Sequence, residues 1–182
     1  MQFIKIRNVK DPIRNVNENA GIDFYIPENT PDFVKALKDK NPSLIIVHGE
    51  GEEPFLAQSY MTPTDGKIYI APHMDIIIPS GIKSKFAPNI ALIANNKSGI
   101  ATKKKLVFGA SVIDASYQGE WHLHLINTSN ETQQIECGQK IIQFIPHLIS
   151  MDEVEILDCT EEEFYTEKTS RGEGWAGSTG IK

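Results

Sequence analysis

The chain has 182 residues, of which 40% are hydrophobic and 23% are charged, a composition typical of a soluble globular protein that is long enough to bury one full core. The net charge of -6 argues weakly against a nucleic-acid partner, because contacts with phosphates need a basic surface. The amino terminus has no apolar signal-peptide core and no stretch reaches the length of a membrane span, so we expect no membrane partner.

The first part of the chain predicts two strands, at residues 2–6 and 20–27, followed by a short helix. Asp23 lies within the second apolar run, which is a costly position for a charge unless a partner compensates it. Thr-Pro-Asp at 30–32 is a helix start, with an N-cap, a proline at the first helical position and an acid near the positive end. Asn-Pro at 41–42 ends this helix.

Residues 43–47 are consistent with a strand, and an acidic loop follows them. We interpret the whole stretch 31–53 as a surface insertion. It is the natural place for an unidentified protein partner, if the chain has one.

From residue 54 onward the sequence is dense in short apolar runs that are separated by Pro and Gly. A second helix of two turns or less is predicted at 97–103. The remaining predicted strands are 67–71, 74–78, 81–86, 91–94, 106–113, 120–127, 132–136, 140–148 and 154–157. Many short strands with regular turn signals predict an all-β fold, a single-domain jelly-roll-like β-barrel with one or two short helices.

The chain ends in a glycine-rich tail that has almost no aliphatic residues. Such a tail buries little and is expected to be mobile without a ligand. We therefore predict a barrel domain at 1–166 and a mobile arm at 167–182. Cys137 and Cys159 are too few and too far apart for a disulfide scaffold or a closed zinc site, which favours a reducing, intracellular location in the cytoplasm.

A predicted strand–turn–strand hairpin carries one carboxylate and one aromatic ring at its bend, within residues 109–120. Asp114 follows the apolar pair Val112 and Ile113, and Asp-Ala-Ser is a turn composition. Tyr117 comes three residues later. A carboxylate beside an apolar wall is partly desolvated, which favours its use as a general base. Taken alone, this pattern is more often a plain turn Asp with a packed Tyr.

The tail contains the strongest local signal, RGEGWAGSTG at 171–180. Its glycines let the backbone turn tightly and present successive N–H groups to an anion. Ser178 and Thr179 add hydroxyl donors, and Arg171 adds a planar cationic fork for phosphate oxygens. These residues and Trp175 distinguish the segment from an ordinary flexible linker.

Two further polar positions stand out. Lys97, Ser98 and Gly99 place a cation and a hydroxyl at the start of a short predicted helix, where negative charge is also favoured. Gln143 is a polar residue in an otherwise apolar strand. It is either an outward-facing edge position or a donor that holds a water or a backbone group.

Taken in order, these pieces resemble the trimeric dUTPase family (dUTP diphosphatases). Five motifs of that family match AGID at 20–23, KSGIA at 97–101, SVIDASYQGE at 111–120, GQKIIQ at 138–143 and RGEGWAGSTG at 171–180. The stretch 70–101 also looks like the family's approach to its second motif. The resemblance covers nearly the whole chain outside the insertion.

The resemblance implies hydrolysis of dUTP to dUMP and pyrophosphate, with Mg²⁺ on the triphosphate, in a homotrimer whose active sites each draw on three subunits. Asp114 would orient and deprotonate the attacking water. Tyr117 would pack against the deoxyribose and exclude a ribose. The backbone of 108–117 would read the edge of uracil, with these residues in contact: Phe108, Gly109, Val112 and Ile113.

The resemblance also assigns the phosphate contacts. Ser98 would contact the phosphate bridge beside Lys97 and Gly99, and Gln143 would hold the water or a phosphate. Asp23 would support the metal through water, which suits a hydrated Mg²⁺. The arm of a neighbouring subunit would close over the nucleotide with Arg171, Trp175, Gly177, Ser178 and Thr179.

Three positions depart from the family pattern. Lys97 stands where Arg is usual, and a lysine cannot make the bidentate fork. Ser116 replaces a second acidic residue, which leaves Asp114 as the one carboxylate at the bend. Ala176 occupies the place of the aromatic that stacks on uracil, and Trp175 lies one residue earlier, so we expect the arm to shift and let Trp175 cover the base.

Other interpretations stay open. A dCTP deaminase-related enzyme of the same superfamily would need a catalytic Glu and a different hairpin sequence. A catalytically weak regulatory or binding member would use the insertion at 31–53 as its surface. His122 and His124 lie on one strand face and could bind a transition metal, but they lack a third ligand. Strand alternation favours an orientation toward solvent or a subunit interface.

Overall fold

The computed structural model describes residues 1–15, 17–48, 58–167 and 169. It divides into two compact units, Met1–Ser150 and Met151–Lys182. Three helices are described: α1 (Pro31–Lys40), α2 (Ser98–Lys104) and α3 (Glu161–Phe164). The strands are β1 (Gln2–Lys5), β2 (Ile22–Tyr25), β3 (Ile45–Ile46), β4 (Tyr60–Thr62), β5 (Lys67–Ile70), β6 (Asp75–Pro79), β7 (Ile82–Lys85), β8 (Ile90–Asn96), β9 (Leu106–Phe108), β10 (Val112–Ile113), β11 (His122–Asn127), β12 (Gln133–Glu136) and β13 (Lys140–Leu148).

The strands of the first unit form four sheets. Their orders are β1–β7, β10–β8–β13–β2, β6–β11–β9 and β12–β5–β4–β3. β3 and β4 run parallel, whereas the other described ladders are antiparallel. The predicted all-β, jelly-roll-like architecture is confirmed. The described ladders form four separate sheets and do not close into one continuous hydrogen-bonded barrel.

An aromatic cluster lies at the centre of the first unit's core. Trp121 is fully buried and stacks on Phe24, with ring centroids 5.0 Å apart. Phe144 lies 5.0 Å from the Trp121 ring, and Phe3 meets it edge-on at 5.7 Å. Three of these rings come from β1, β2 and β13, and Trp121 directly precedes β11, so the cluster connects three of the four sheets.

Helix α1 begins and ends as its sequence predicts. The Thr30 side chain accepts a hydrogen bond from the Phe33 N–H at 3.2 Å, and Pro31 is the first helical residue. Asn41 is the C-cap. Its side-chain amide bonds both backbone groups of Ile77 on β6, donating to the carbonyl and accepting from the N–H at 2.8 Å each.

The helical part of the predicted surface insertion at 31–53 packs one face against the core. Phe33 and Leu37 of α1 are both fully buried and belong to the same core as the sheets. Each such side chain contributes about 1.5–3 kcal/mol through burial. Residues 49–53 of the predicted insertion lie outside the described part of the chain.

The second unit differs from its predicted secondary structure. The expected strand at 154–157 is wrong for this chain, because no described backbone pairs with these residues and a strand needs such a partner. Val154 and Ile156 are 93% and 92% exposed. The short helix α3 follows instead, and Thr160 and Glu163 form a capping box at its start.

Within the described ranges, no helix is long and apolar enough to span a membrane.

Candidate active site

The carboxyl end of β8 brings residues of several predicted motifs next to one another. Gln143 of β13 lies opposite Asn95 of β8 on one side and Asp23 of β2 on the other. Lys97 follows β8 directly, and β10 pairs with the other edge of the same strand. The first, second and fourth motifs therefore meet within a single chain.

Asp23 is almost buried and is compensated by two lysines. It is 8% exposed, and its two carboxylate oxygens contact the Lys97 Nζ at 2.5 Å and the Lys140 Nζ at 2.8 Å. Burial acts to raise the pKa of Asp23, but the hydrogen bonds from Lys140 and Lys97 outweigh it and leave the pKa below its ordinary value. The same contact raises the pKa of Lys140. Lys140 was not predicted as a site residue, although it is the one charged residue of the fourth motif.

Lys97 is held beside Asp23 and does not project freely into solvent. It is the N-cap residue of α2, its backbone is extended, and its side chain makes no capping bond. Ser98 and Gly99 are exposed, and apart from its chain neighbours and its own helix backbone no described atom lies within 4 Å of the position that a Cβ of Gly99 would take. The second motif thus leaves an open, polar surface beside a fixed ammonium group.

Gln143 is a donor to backbone, as one of its two interpretations predicted. Its strand lies between β2 and β8, so it is not at a sheet edge. The Gln143 Nε2 donates to the Asn96 carbonyl at 3.0 Å. Gly21 makes room for this side chain, because an added Cβ there would lie 2.6 Å from the Gln143 Oε1.

The predicted strand 106–113 is broken, and the break shapes the third motif. Three successive N–H groups are bonded within the chain: Phe108 donates to the Asn96 Oδ1 at 3.0 Å, Gly109 to the His124 carbonyl at 2.9 Å, and Ala110 to the His124 Nδ1 at 3.0 Å. The chain leaves β11 at this point and joins β8. Asn96 and His124 were not predicted as contacts, since they lie 12 and 14 residues from their partners.

The predicted hairpin pairing is confirmed for residues 106–108 and wrong for residues 112 and 113. β11 pairs with β9 and β6, whereas Val112 and Ile113 of β10 pair with Ile93 and Leu92 of β8. The turn that follows is confirmed. The Tyr117 N–H donates to the Asp114 carbonyl at 3.1 Å.

Tyr117 is fixed and Asp114 is open to solvent. The Tyr117 hydroxyl donates to the Glu120 carbonyl at 2.9 Å, and the α-carbon of Gly119 lies so close to the ring that an added Cβ would overlap it. Asp114 is exposed. The apolar wall that was expected beside this carboxylate is not supplied by the described part of its own chain.

Asp114, the candidate general base, and Lys97, a candidate phosphate contact, are separated along β8. Ile113, which precedes Asp114, pairs with Leu92, five residues before Lys97. That separation is about 16 Å at the usual rise of a strand. One chain therefore does not bring Asp114 next to Lys97.

Comparisons with known proteins agree with these motifs. The dUTPase family model matches residues 64–180. The deoxyuridine 5'-triphosphate nucleotidohydrolase of Arabidopsis thaliana is 34% identical over 154 residues, 82% of this chain and 84% of the relative. That of Yarrowia lipolytica is 32% identical over 135 residues, 74% of this chain and 78% of the relative. The chain belongs to the dUTPase family.

Solved dUTPase structures share its fold. A dUTPase of Staphylococcus bacteriophage 80alpha superposes with a TM-score of 0.68 at 17% identity, over 99% of this chain and 98% of the phage chain. The Streptococcus mutans dUTPase gives a TM-score of 0.56 at 17% identity, over 85% of this chain and 100% of the other. At such identities the similarity shows the fold alone.

The two histidines of β11 are bonded or buried within this dUTPase chain and do not project freely into solvent. The His124 Nε2 lies 2.9 Å from the Asp75 Oδ2. The His122 Nε2 is buried without a hydrogen-bond partner in the described part of the chain, and burial together with the charge of Lys40 lowers the pKa of His122. Among the described residues, no group of three or more His, Cys, Asp or Glu side chains could hold a metal ion.

The arm residues of this dUTPase lie outside the described residues. They are Arg171, Trp175, Gly177, Ser178 and Thr179.

Proposed function

We propose that this chain is a dUTP diphosphatase that hydrolyses dUTP to dUMP and pyrophosphate. Membership of the dUTPase family carries the proposal. The meeting of Asp23, Lys97 and Gln143 at the end of β8 supports it, because a triphosphate needs cations and hydrogen-bond donors. The structure of the 80alpha phage dUTPase was solved with dUpNHpp.

Asp114 activates the attacking water in this proposal. For dUMP and pyrophosphate to form, water must attack the α-phosphorus, and the oxygen that bridges to the β-phosphorus must leave with the electron pair. Asp114 accepts the proton of the water, for which its exposed carboxylate is accessible. Gln143 holds the water or a phosphate oxygen through the amide that now donates to Asn96.

The third motif selects the nucleotide. Tyr117 packs against the deoxyribose, and the segment 108–113 reads the edge of uracil, with Phe108, Gly109, Val112 and Ile113 in contact. Hydrogen bonds within the chain fix this segment, since the N–H groups of residues 108–110 donate to Asn96 and His124. A fixed edge rejects a 5-methyl group better than a mobile one.

The second and fifth motifs bind the phosphates. Ser98 and Gly99 are exposed for this contact, and Lys97 supplies a point charge whose position is set by Asp23. Trp175 covers the base, and the outer phosphates are closed over by Arg171, Gly177, Ser178 and Thr179.

Mg²⁺ is the proposed cofactor. The dUTPase of phage phi11 of S. aureus, which has a TM-score of 0.61 at 16% identity to this chain, coordinates a structural Mg(II) ion. Here Asp23 offers one carboxylate, and both of its oxygens contact lysines. A hydrated Mg²⁺ that is held mainly by the triphosphate needs no protein cage, so the residues fit an ion that Asp23 supports through water. When bound, the ion neutralises charge on the triphosphate.

The active enzyme is proposed to be a homotrimer with shared sites. Asp114 and Lys97 of one chain lie at different points along β8, which supports a site that a second chain completes. Val154 and Ile156 are apolar and exposed in their own unit, which favours burial against another subunit. The arm then comes from a neighbour.

Location and further partners stay predictions. Cys137 and Cys159 are free, in keeping with a reducing compartment. A cytoplasmic location is proposed, although the Dictyostelium discoideum relative is named mitochondrial. A protein partner at 31–53 would meet the polar face of α1, because Phe33 and Leu37 are buried.

One assay tests the activity. Pyrophosphate release with Mg²⁺ is measured from dUTP, dCTP, dTTP and UTP, for the wild type, Asp114→Asn and the exposed control Asp11→Asn. We expect turnover of dUTP alone, a loss of about 100-fold or more in Asp114→Asn and no change in the control. Ammonia release from dCTP would support a deaminase instead. No turnover of any nucleotide would support a regulatory or binding protein.

A further inference from the structure

We propose that His124 is a positioning residue that holds the uracil-reading segment in place. This inference rests on the proposed function, because it assigns a task within that site. His124 lies on β11, between the segment 109–111 and β6. Its Nδ1 accepts a hydrogen bond from the Ala110 N–H at 3.0 Å, and its Nε2 lies 2.9 Å from the Asp75 Oδ2.

The two partners of the ring determine its tautomer. A ring nitrogen that accepts a hydrogen bond cannot also carry a proton, so the Nδ1 is unprotonated and the Nε2 carries the hydrogen. The Nε2–H then donates to Asp75. Asp75 therefore selects the tautomer that Ala110 requires, and the three residues form a chain of contacts from β6 to the segment.

Gly109 and His124 also fit each other sterically. The ring lies so close to the Gly109 α-carbon that any side chain at position 109 would overlap it. The Gly109 N–H donates to the His124 carbonyl at 2.9 Å. His124 thus bonds two successive N–H groups and fills the space beneath the segment, so a single residue attaches this part of the uracil-reading backbone to β11.

The loss of this attachment should affect recognition more than the chemical step. Asp114 lies beyond β10, and its turn is held separately by the Tyr117 N–H. A segment that is not held must be ordered when the base binds, which lowers the affinity for dUTP. It also rejects dTTP less well, because a mobile backbone can move away from a 5-methyl group.

Two substitutions separate the hydrogen bond from packing. His124→Asn keeps an acceptor close to the position of the Nδ1, whereas His124→Leu keeps apolar volume and has no acceptor. The matched controls are His147→Asn and His147→Leu, at an exposed histidine on β13. Thermal melts of the full-length variants establish that each one is folded.

The kinetics and the amide of Ala110 provide the readouts. In His124→Leu we expect KM for dUTP to rise about three- to ten-fold, kcat to change less than about two-fold, and the selectivity against dTTP to fall. Hydrogen exchange of the Ala110 N–H, followed by NMR, should accelerate. His124→Asn should restore most of both properties, and the His147 variants should behave as the wild type.

Three results would overturn the proposal: unchanged Ala110 exchange in His124→Leu, unchanged KM in that variant, or a His124→Asn variant as impaired as His124→Leu, which would indicate packing alone. A wild-type protein that turns over no dUTP would refute the proposed function. Ala110 exchange would still test the attachment in that case, so the two failures are distinguishable.

Discussion

Replacement of Asp23 by asparagine tests whether this carboxylate holds two lysines together. The change preserves the shape and removes the charge, so Lys97 and Lys140 lose their common counter-ion. A hydrogen bond to a charged group contributes about 1.5–3 kcal/mol, and two of them contribute about 3–6 kcal/mol. The lysine side chains are 26% and 38% exposed, so solvent replaces part of the interaction. We expect the substitution to lower the free energy of unfolding by about 2–3 kcal/mol per chain.

Urea unfolding measures this loss through the fluorescence of Trp121, which is fully buried. All variants are compared at one protein concentration, because association shifts the apparent stability. The matched control is Asp39→Asn, which removes the partner of Lys35 in an exposed helical pair. Asp39→Asn should lower the free energy of unfolding by less than about 0.5 kcal/mol. A similarly small effect in Asp23→Asn would refute the reasoning.

The pH dependence gives an independent test of the same pair. Because the pKa of Asp23 in the folded protein lies below its ordinary 3.8, its contribution to stability is present above that pH and is lost as the pH falls through the lowered value. The advantage of the wild type over Asp23→Asn should therefore shrink below about pH 4. At the alkaline end, the raised pKa of Lys140 means that its contribution is lost only above 10.5. A constant difference between wild type and variant in acid would contradict this account.

Two further predictions concern the binding surface. Gly21→Ala places a Cβ 2.6 Å from the Gln143 Oε1 and should displace the side chain from Asn96, at a cost of about 1–2 kcal/mol in a thermal or urea melt. The cost should vanish in a Gln143→Ala background, and a cost that persisted there would point to backbone strain instead. Trp175→Ala should raise KM for dUTP about five-fold or more, as the loss of a stacked ring does in nucleic-acid contacts. An unchanged KM would exclude Trp175 from the site.

Local sequence signals were sufficient where their physical cause is local. The N-cap at Thr30 and the strand 140–148 were predicted at their observed places, because capping and apolar runs depend on neighbouring residues. The motif order was also informative, because the match to the family model depends on residue types in order along the chain. The capping box at Thr160 was equally local, but its T-x-x-E pattern was not recognised.

Partners that are distant along the chain could not be predicted. Asp23 was recognised as costly, but its lysines lie 74 residues and more away, on β13 and after β8. The same holds for Gly109. A side chain at this position would overlap the ring of His124, which lies on another strand. Residues 154–157, which pair with no described backbone, illustrate a second limit of prediction from sequence. Strand propensity describes a residue's preference, whereas a strand exists only where another backbone completes it.

The side chain of Asn41 has a consequence for solubility. β6 is the outer strand of its sheet, and an outer strand presents unpaired backbone groups that can recruit a strand from another molecule. The Asn41 amide occupies both groups of Ile77, at the position where a foreign strand would pair. Removal of 31–53 to shorten the chain would uncover this edge together with the cavity left by Phe33 and Leu37. The helix therefore protects the protein from aggregation as well as completing its core.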